Sequence, residues 1–182
     1  MLTTLAKARL LGVDPAGDMP DAELTALLTV ASAAIEEKCR RRFKLQQYTG
    51  RVNGMRGQYL YLPNYPVHSI SIYEKPEHPF TDVETLDNGI FFRRCGWPGG
   101  ERGLSVTYTA GYVLPEDATE DNPSTLPETL EYACVLMAKH LQREPGVTSE
   151  RVGDISVAYA AAEADMPMAV KALIAPHIRP EL

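Results

Sequence analysis

The spacing of apolar residues changes twice along the chain. Up to about residue 42 they recur at helical intervals, from about 46 to 113 they alternate, and from 126 the helical interval returns. A period near 3.6 lays one apolar stripe on a helix, and a period of 2 lays one apolar face on a strand. A chain that switches and then switches back cannot be a plain bundle or a plain barrel. The expectation is an α+β fold in which amphipathic helices pack together and an antiparallel β insertion divides them.

The helical flanks carry their own punctuation. TTLAKARLLG reads as a short helix, capped by Thr3 or Thr4 and stopped by Gly12. A second helix follows VDPAGD. Asp18 suits its N-cap, Pro20 its first turn, and Asp21 and Glu23 the positive end of its dipole. Leu24, Leu27, Leu28, Ala31, Ile35 and Cys39 form its apolar stripe, and the basic run beyond them predicts an end near Arg42. A third helix, to about Arg143, opens on a capping box of Thr125 and Glu128 and buries Leu126, Leu130, Ala133, Cys134, Met137 and Leu141. Pro145-Gly146 ends it. Asp165 caps a last short helix, MPMAVKALIA, which Pro176 stops.

The insertion reads as four to six short strands. Asn53-Gly54 and Asn88-Gly89 are hairpin signals. VHSISIYE alternates, with Val67, Ser69, Ser71 and Tyr73 on one face and His68, Ile70 and Ile72 on the other. PEDATEDNPST, at 115–125, is an exposed polar loop. The organisation is thus N-terminal helices over 1–45, the β insertion over 46–114, the acidic loop over 115–125, and C-terminal helices over 126–182. One alternating stretch, SERVGDISVAY, stands alone between the last two helices. Two readings fit it: a protruding β arm at about 149–160 that pairs with a neighbouring subunit, or a local hairpin turning at Gly153-Asp154.

Composition excludes several classes of function. A chain of 182 residues buries roughly 70% of its unfolded surface and needs no metal or disulfide staple. Its net charge of −6 argues against a protein whose main task is gripping nucleic acid, which requires a basic excess. Cys39, Cys95 and Cys134 are widely spaced and read as buried free thiols of a reducing compartment. No apolar run approaches the roughly 18 residues of a membrane span, and MLTTLAKARLLG is too short and interrupted for a signal peptide.

Catalytic patterns are missing as well. There is no HExxH, CxxC, phosphate-binding loop, dinucleotide glycine pattern or nucleophile elbow. The four histidines are scattered, which leaves no metal set, and no cofactor is expected. GWPGGERG, at 96–103, reads as a loop between strands. Its Trp97 is either a lid over the β core or an anchor for a partner. EEKCRRRFK brings together Lys38, Arg40, Arg41, Arg42 and Lys44. It is a charged helix end, a docking patch for an acidic partner, or, third, a DNA contact.

The order of these elements resembles a known family. MLTTLAKARLLGV, the D…L..L...A...IE..C.R.F helix, YLPNYPVHSISI, VTYTAGY, LPETLEYACVLMAKHL and SERVGDISVAY together resemble the head–tail connector (adaptor) proteins of tailed phages. The segment 76–103 has no counterpart in that pattern, and the acidic loop over 115–125 is long for it. The resemblance implies a virion structural protein without catalytic residues or cofactor, assembled in the bacterial host cytoplasm and sited at the neck. It implies a dodecameric ring between the portal and the next neck or tail protein, through which genomic double-stranded DNA passes without sequence-specific binding. It implies a subunit-interface arm of Arg151, Val152, Ile155, Val157 and Tyr159. Partner docking would involve Lys38, Arg40, Arg41, Arg42 and Trp97, with Lys171, His177, Ile178 and Arg179 from a C-terminal segment that ends unstructured and meets the portal. Net acidity suits a tunnel that must not hold phosphate. The alternatives are a neck stopper or tail-completion protein and, in another class, a ligand-binding module using Trp97, Tyr59, Tyr61 and Tyr65. None of these readings calls for a membrane.

Overall fold

The computed structural model describes residues 1–54, 57–75, 78–142, 149–152, 155–158 and 166–179. The chain is α+β and divides into two compact units, one made of residues 1–40 and 114–182, the other of residues 41–113.

The first unit is helical. It contains α1 (Leu5–Leu10), α2 (Asp21–Cys39), α3 (Glu128–Leu141) and α4 (Met168–Ile174), with α3 packed against both α2 and α4. Leu24, Leu28, Ala31, Ile35 and Cys39 of α2 are buried, as are Leu130, Ala133, Cys134 and Met137 of α3 and Val170 and Ile174 of α4. These are the stripes that the sequence spacing marks, except that Leu27 is half-buried and Leu141, at the end of α3, is exposed.

The caps differ from expectation. Thr4 does cap α1, its hydroxyl accepting from the Lys7 amide at 3.2 Å. The other three helices begin directly behind a proline: Pro20, Pro127 and Pro167 occupy the N-cap position without a side-chain cap. Each holds φ near its ring-fixed value with ψ extended, so the chain enters the helix in one conformation. Asp18 and Thr125 therefore do not cap, and Asp165 lies outside the described residues. Helix α2 ends at Cys39 rather than near Arg42, because Arg40 turns left-handed at φ 55°.

The second unit holds two antiparallel sheets. The larger runs β1 (Gln46–Gly54), β7 (Gly100–Ala110), β3 (Val67–Lys75), β4 (His78–Pro79). The smaller runs β2 (Tyr59–Tyr61), β6 (Ile90–Phe92), β5 (Glu84–Thr85). Leu60, Leu62, Ile72, Phe91, Trp97, Leu104, Val106, Tyr108 and Ala110 fill its core.

Asn88-Gly89 turns as expected, both residues at positive φ. Asn53-Gly54 does not turn. It lies in the final residues of β1, where Gly54 pairs with Gly100. A Cβ at Gly54 would stand 1.6 Å from the Pro98 carbonyl oxygen, so this glycine serves a close approach of two backbones. The two-face reading of β3 also fails at one point. A register shift between Val67 and Ser69 is a bulge, and it brings both Val67 and Ile70 onto the core.

The segment after α3 folds onto itself. β8 (Ser149–Val152) and β9 (Ile155–Ala158) pair antiparallel, Val152 opposite Ile155, as a two-stranded sheet of their own.

Candidate assembly surfaces

The first surface forms at the C-terminal end of α2. Lys38 and Arg40 are exposed there. After α4 the chain makes a single 3-10 turn, Ala175–His177. It then returns to α2, where the Arg179 amide donates to the Cys39 carbonyl at 3.0 Å. The His177 ring meets the Thr129 hydroxyl of α3 at 3.3 Å. Lys38, Arg40 and Arg179 thus come from the two ends of the sequence to one helix terminus, where positive charge is favoured. Lys171, His177, Ile178 and Arg179 are half-buried. As far as Arg179 the C-terminal segment is bonded to α2 and α3; the expectation that it ends unstructured falls beyond that point. Residues 180–182 lie outside the described residues.

Arg41 and Trp97 do not belong to an exposed surface. Arg41 is 4% exposed. Its guanidinium lies 3.3 Å from the centre of the Tyr65 ring and 4.9 Å from that of Phe43, and it donates through Nη2 to the Tyr65 carbonyl. Among the described residues its Nε and Nη1 have no hydrogen-bond partner. A guanidinium is planar and weakly hydrated, so it tolerates an aromatic sandwich that an ammonium would not. Trp97 is 3% exposed. Its indole N–H donates to the Gln58 carbonyl at 3.2 Å, and it meets the Phe80 ring edge-on at 5.6 Å. It belongs to the core. Arg42 is exposed, and its amide donates to Asn64 Oδ1 at 2.8 Å.

The second surface is the outer face of the large sheet. Residues paired across an antiparallel ladder point to the same side. The outward rows across β1, β7 and β3 are Gln47–Thr109–Ser69, Thr49–Thr107–Ser71 and Arg51–Ser105–Tyr73. Eight of these nine side chains are uncharged, in a chain with 24 acidic residues. The inward rows hold Tyr48, Tyr108 and Ile70, then Val106 and Ile72. Hydroxyls out and hydrocarbon in is the pattern of a sheet with one wet side.

The third surface is the pair β8 and β9, which contains four of the five arm residues. Tyr159 lies outside the described residues. Of the aromatic set for a ligand module, Tyr65 and Trp97 are buried, whereas Tyr59 is exposed beside Phe92 at 5.4 Å. Among the described residues no group of acidic, histidine and cysteine side chains could hold a metal ion, and no helix is long and apolar enough to cross a membrane.

Comparison with known proteins decides the family. The head completion protein family model matches residues 15–179. The chain belongs to this family. Solved structures of similar fold include a chain from the neck of an empty gene transfer agent particle computed with C6 symmetry. The two are 21% identical, with a TM-score of 0.57, and the match covers 90% of this chain and 81% of that one. A chain from the virion of a native gene transfer agent particle is 22% identical, with a TM-score of 0.57 and coverage of 90% and 80%. A chain from the neck of the native particle computed with C12 symmetry is 22% identical, with a TM-score of 0.56, and covers 100% of this chain and 96% of that one. No curated protein matches.

The contacts within the β unit give a physical meaning to the YLPNYPV run. Leu62 enters the core, and Asn64 bonds the Arg42 amide and the Tyr108 hydroxyl. Tyr65 supplies the face on which Arg41 lies, and its peptide bond to Pro66 is cis. Sequence reasoning missed the return of Arg179 to α2. The clue was the Pro176 stop, which ends α4 early enough for the chain to turn back.

Proposed function

We propose that this head completion protein is a head–tail adaptor of a virion neck: a ring of identical subunits between the portal and the next neck protein, enclosing the path of double-stranded DNA. The observation that carries this reading is the family match over residues 15–179. The likeness in fold to neck chains reconstructed with C6 and C12 symmetry supports a closed ring, and twelve copies in particular. A rotational ring requires each subunit to offer two different surfaces to its two neighbours. The pair β8–β9 supports one of them. Four-residue strands in a two-stranded sheet have little stability alone and gain it from a neighbour.

The basic corner of Lys38, Arg40 and Arg179, with Lys171 and His177 on the adjoining elements, is the portal-facing side, directed at an acidic surface. DNA passes without being held, in keeping with a net charge of −6. The role is structural rather than catalytic.

The test is mass photometry with negative-stain imaging of the purified chain, alone and with its cognate portal. Rings on the portal are the expected result, and charge reversal at Lys38 weakens their docking about tenfold or more, with only a small fall in the thermal midpoint from the helix dipole. A chain that ignores the portal but binds a portal already carrying another neck protein overturns the adaptor position in favour of a stopper.

A further inference from the structure

Charge is divided unevenly between the two units. Residues 41–113 hold nine basic and six acidic side chains, and the rest of the chain holds nine and eighteen. The β unit is therefore net positive in a chain whose overall charge is −6. A positive module inside an acidic chain is a local attraction for polyanions that the overall charge conceals.

The excess gathers at one end of the β unit. Residues 51–58 and 93–103 contain five arginines and one carboxylate, Glu101. Hydrogen bonds draw these stretches together. The Trp97 amide donates to the Gly57 carbonyl at 2.8 Å, and the Arg93 amide to the Gln58 carbonyl at 2.8 Å. The Gln58 side-chain amide donates to the Arg94 carbonyl at 3.1 Å. Gly54 lies against the Pro98 carbonyl and pairs with Gly100. The Arg102 amide donates to Asn53 Oδ1 at 2.8 Å. Arg102 stands there at φ 51°, a backbone conformation that arginine seldom takes.

The arginines are used differently. Arg93 is tied to Asp82 at 2.8 Å, and Arg56 lies outside the described residues. Arg51, Arg94 and Arg102 are exposed, and among the described residues none of them has an ion pair. Arg51 shares its outward row with Ser105 and Tyr73, next to the row of Thr49, Thr107 and Ser71. Guanidinium forks beside rows of hydroxyls are a donor set that suits phosphate oxygens.

We propose that this end of the β unit touches the phosphate backbone of the duplex DNA enclosed by the ring. The proposal rests on the ring reading above and names the part of each copy that meets the DNA. An acidic protein partner offers a few carboxylates at fixed places. The hydroxyl rows running on from the arginines suit a ligand that presents the same anionic group repeatedly. Three guanidiniums neutralise few phosphates, and such contacts carry no sequence information, so the duplex slides past them.

Fluorescence anisotropy of a short random-sequence duplex, titrated with the full-length chain as monomer and as ring, tests this. Affinity is expected to fall between about 50 and 200 mM salt, with a log–log slope of about −2 to −3 per copy. Arg51→Gln, Arg94→Gln and Arg102→Asn each reduce that slope by about one. Asparagine accepts left-handed backbone, so the last change leaves the turn intact. The triple variant is expected to bind DNA about tenfold more weakly or worse, with the wild-type thermal midpoint and with rings still forming on the portal. Wild-type affinity and slope in the triple variant overturn the proposal and leave the ring reading standing. So do wild-type rings that ignore the duplex even at low salt. A triple variant that keeps its fold but no longer forms rings or docks on the portal also overturns it, since the arginines then serve a protein contact. Arginine-dependent DNA binding by a chain that never assembles supports the contact and removes the ring reading.

Discussion

The helical unit and the β unit solve the problem of buried polarity in opposite ways. The helical unit wires its polar groups together. Glu131 is 6% exposed and accepts from the Thr3 hydroxyl at 3.2 Å and from Lys7 Nζ at 2.6 Å. Ser32 accepts from the Leu2 amide at 3.0 Å, donates to the Leu28 carbonyl at 2.7 Å, and stands 3.4 Å from the Cys134 sulfur. The β unit keeps its core largely hydrocarbon, with Asn64 as a single wired polar side chain, and among the described residues it buries one cation, Arg41, which it covers with aromatic rings instead of carboxylates. Side-chain networks fix a register between helices, which otherwise slide on apolar stripes. A sheet has its register from the backbone ladder, so its core needs only to be filled.

The comparison can be broken most severely in the β unit. Phe91→Ala removes a fully buried ring from between the sheets and is expected to cost about 3–5 kcal/mol, measured by denaturant unfolding. Gly54→Ala forces the Pro98 backbone aside and is expected to cost about 1–3 kcal/mol, with no relief from a smaller neighbour because the obstacle is a carbonyl.

In the helical unit the test is one of pH. Burial pushes the Cys134 thiol up to about 11 from an ordinary value of 9.0. The unfolded chain releases this proton first, so between those values the unfolded state binds fewer protons. Stability therefore falls as pH rises from about 9 to about 11, by roughly 2–3 kcal/mol. Cys134→Ala should flatten that part of the profile. Cys95 is exposed whereas Cys39 and Cys134 are buried, so under native conditions a thiol reagent should modify one site, and unfolding should release the other two.

Glu131→Gln keeps the shape but removes the charge opposite Lys7. A loss of roughly 1–2 kcal/mol is expected, smaller in high salt. The mildest change belongs to the β unit's surface. Arg93 holds the Asp82 carboxyl below its usual range by a direct hydrogen bond. The stabilisation is present above the ordinary carboxylate value and disappears as pH falls through the lowered one. Asp82→Asn should differ little from wild type in acid and slightly near neutrality.

Much of this architecture was legible because periodicity reports burial directly. The stripe on α2 and α3 and the alternation in β7 needed no tertiary knowledge. What escaped were places where a distant element overrode a local signal. Asn53-Gly54 is a strong turn dipeptide, yet the approach of Pro98 recruits its glycine for packing. Asp18 and Thr125 are good caps on composition, but a proline two residues later took the position each time. Thr125 was outweighed by Pro127, as Asp18 was by Pro20. Composition alone places Cys95 in the interior, where cysteines usually lie, but it sits exposed in the turn after β6. The candidate surfaces were partly legible. The basic run marked the end of α2, but beyond the Pro176 stop no local pattern announces that Arg179 will return to it, or which of the clustered cations turns inward. Of the two readings of SERVGDISVAY, the pairing of β8 with β9 matches the local one.

The central strand of the large sheet joins Gln46 to Ala110 on one side and Val67 to the same residue on the other. Such pairings between distant residues make for slow closure. The helical unit is later still, since α2 waits for α3 and α4. On the ribosome the β unit is complete once residue 113 has emerged, while α2 is still without its packing partners. Synthesis order thus makes the middle of this chain the first part to acquire a native structure and its two termini the last.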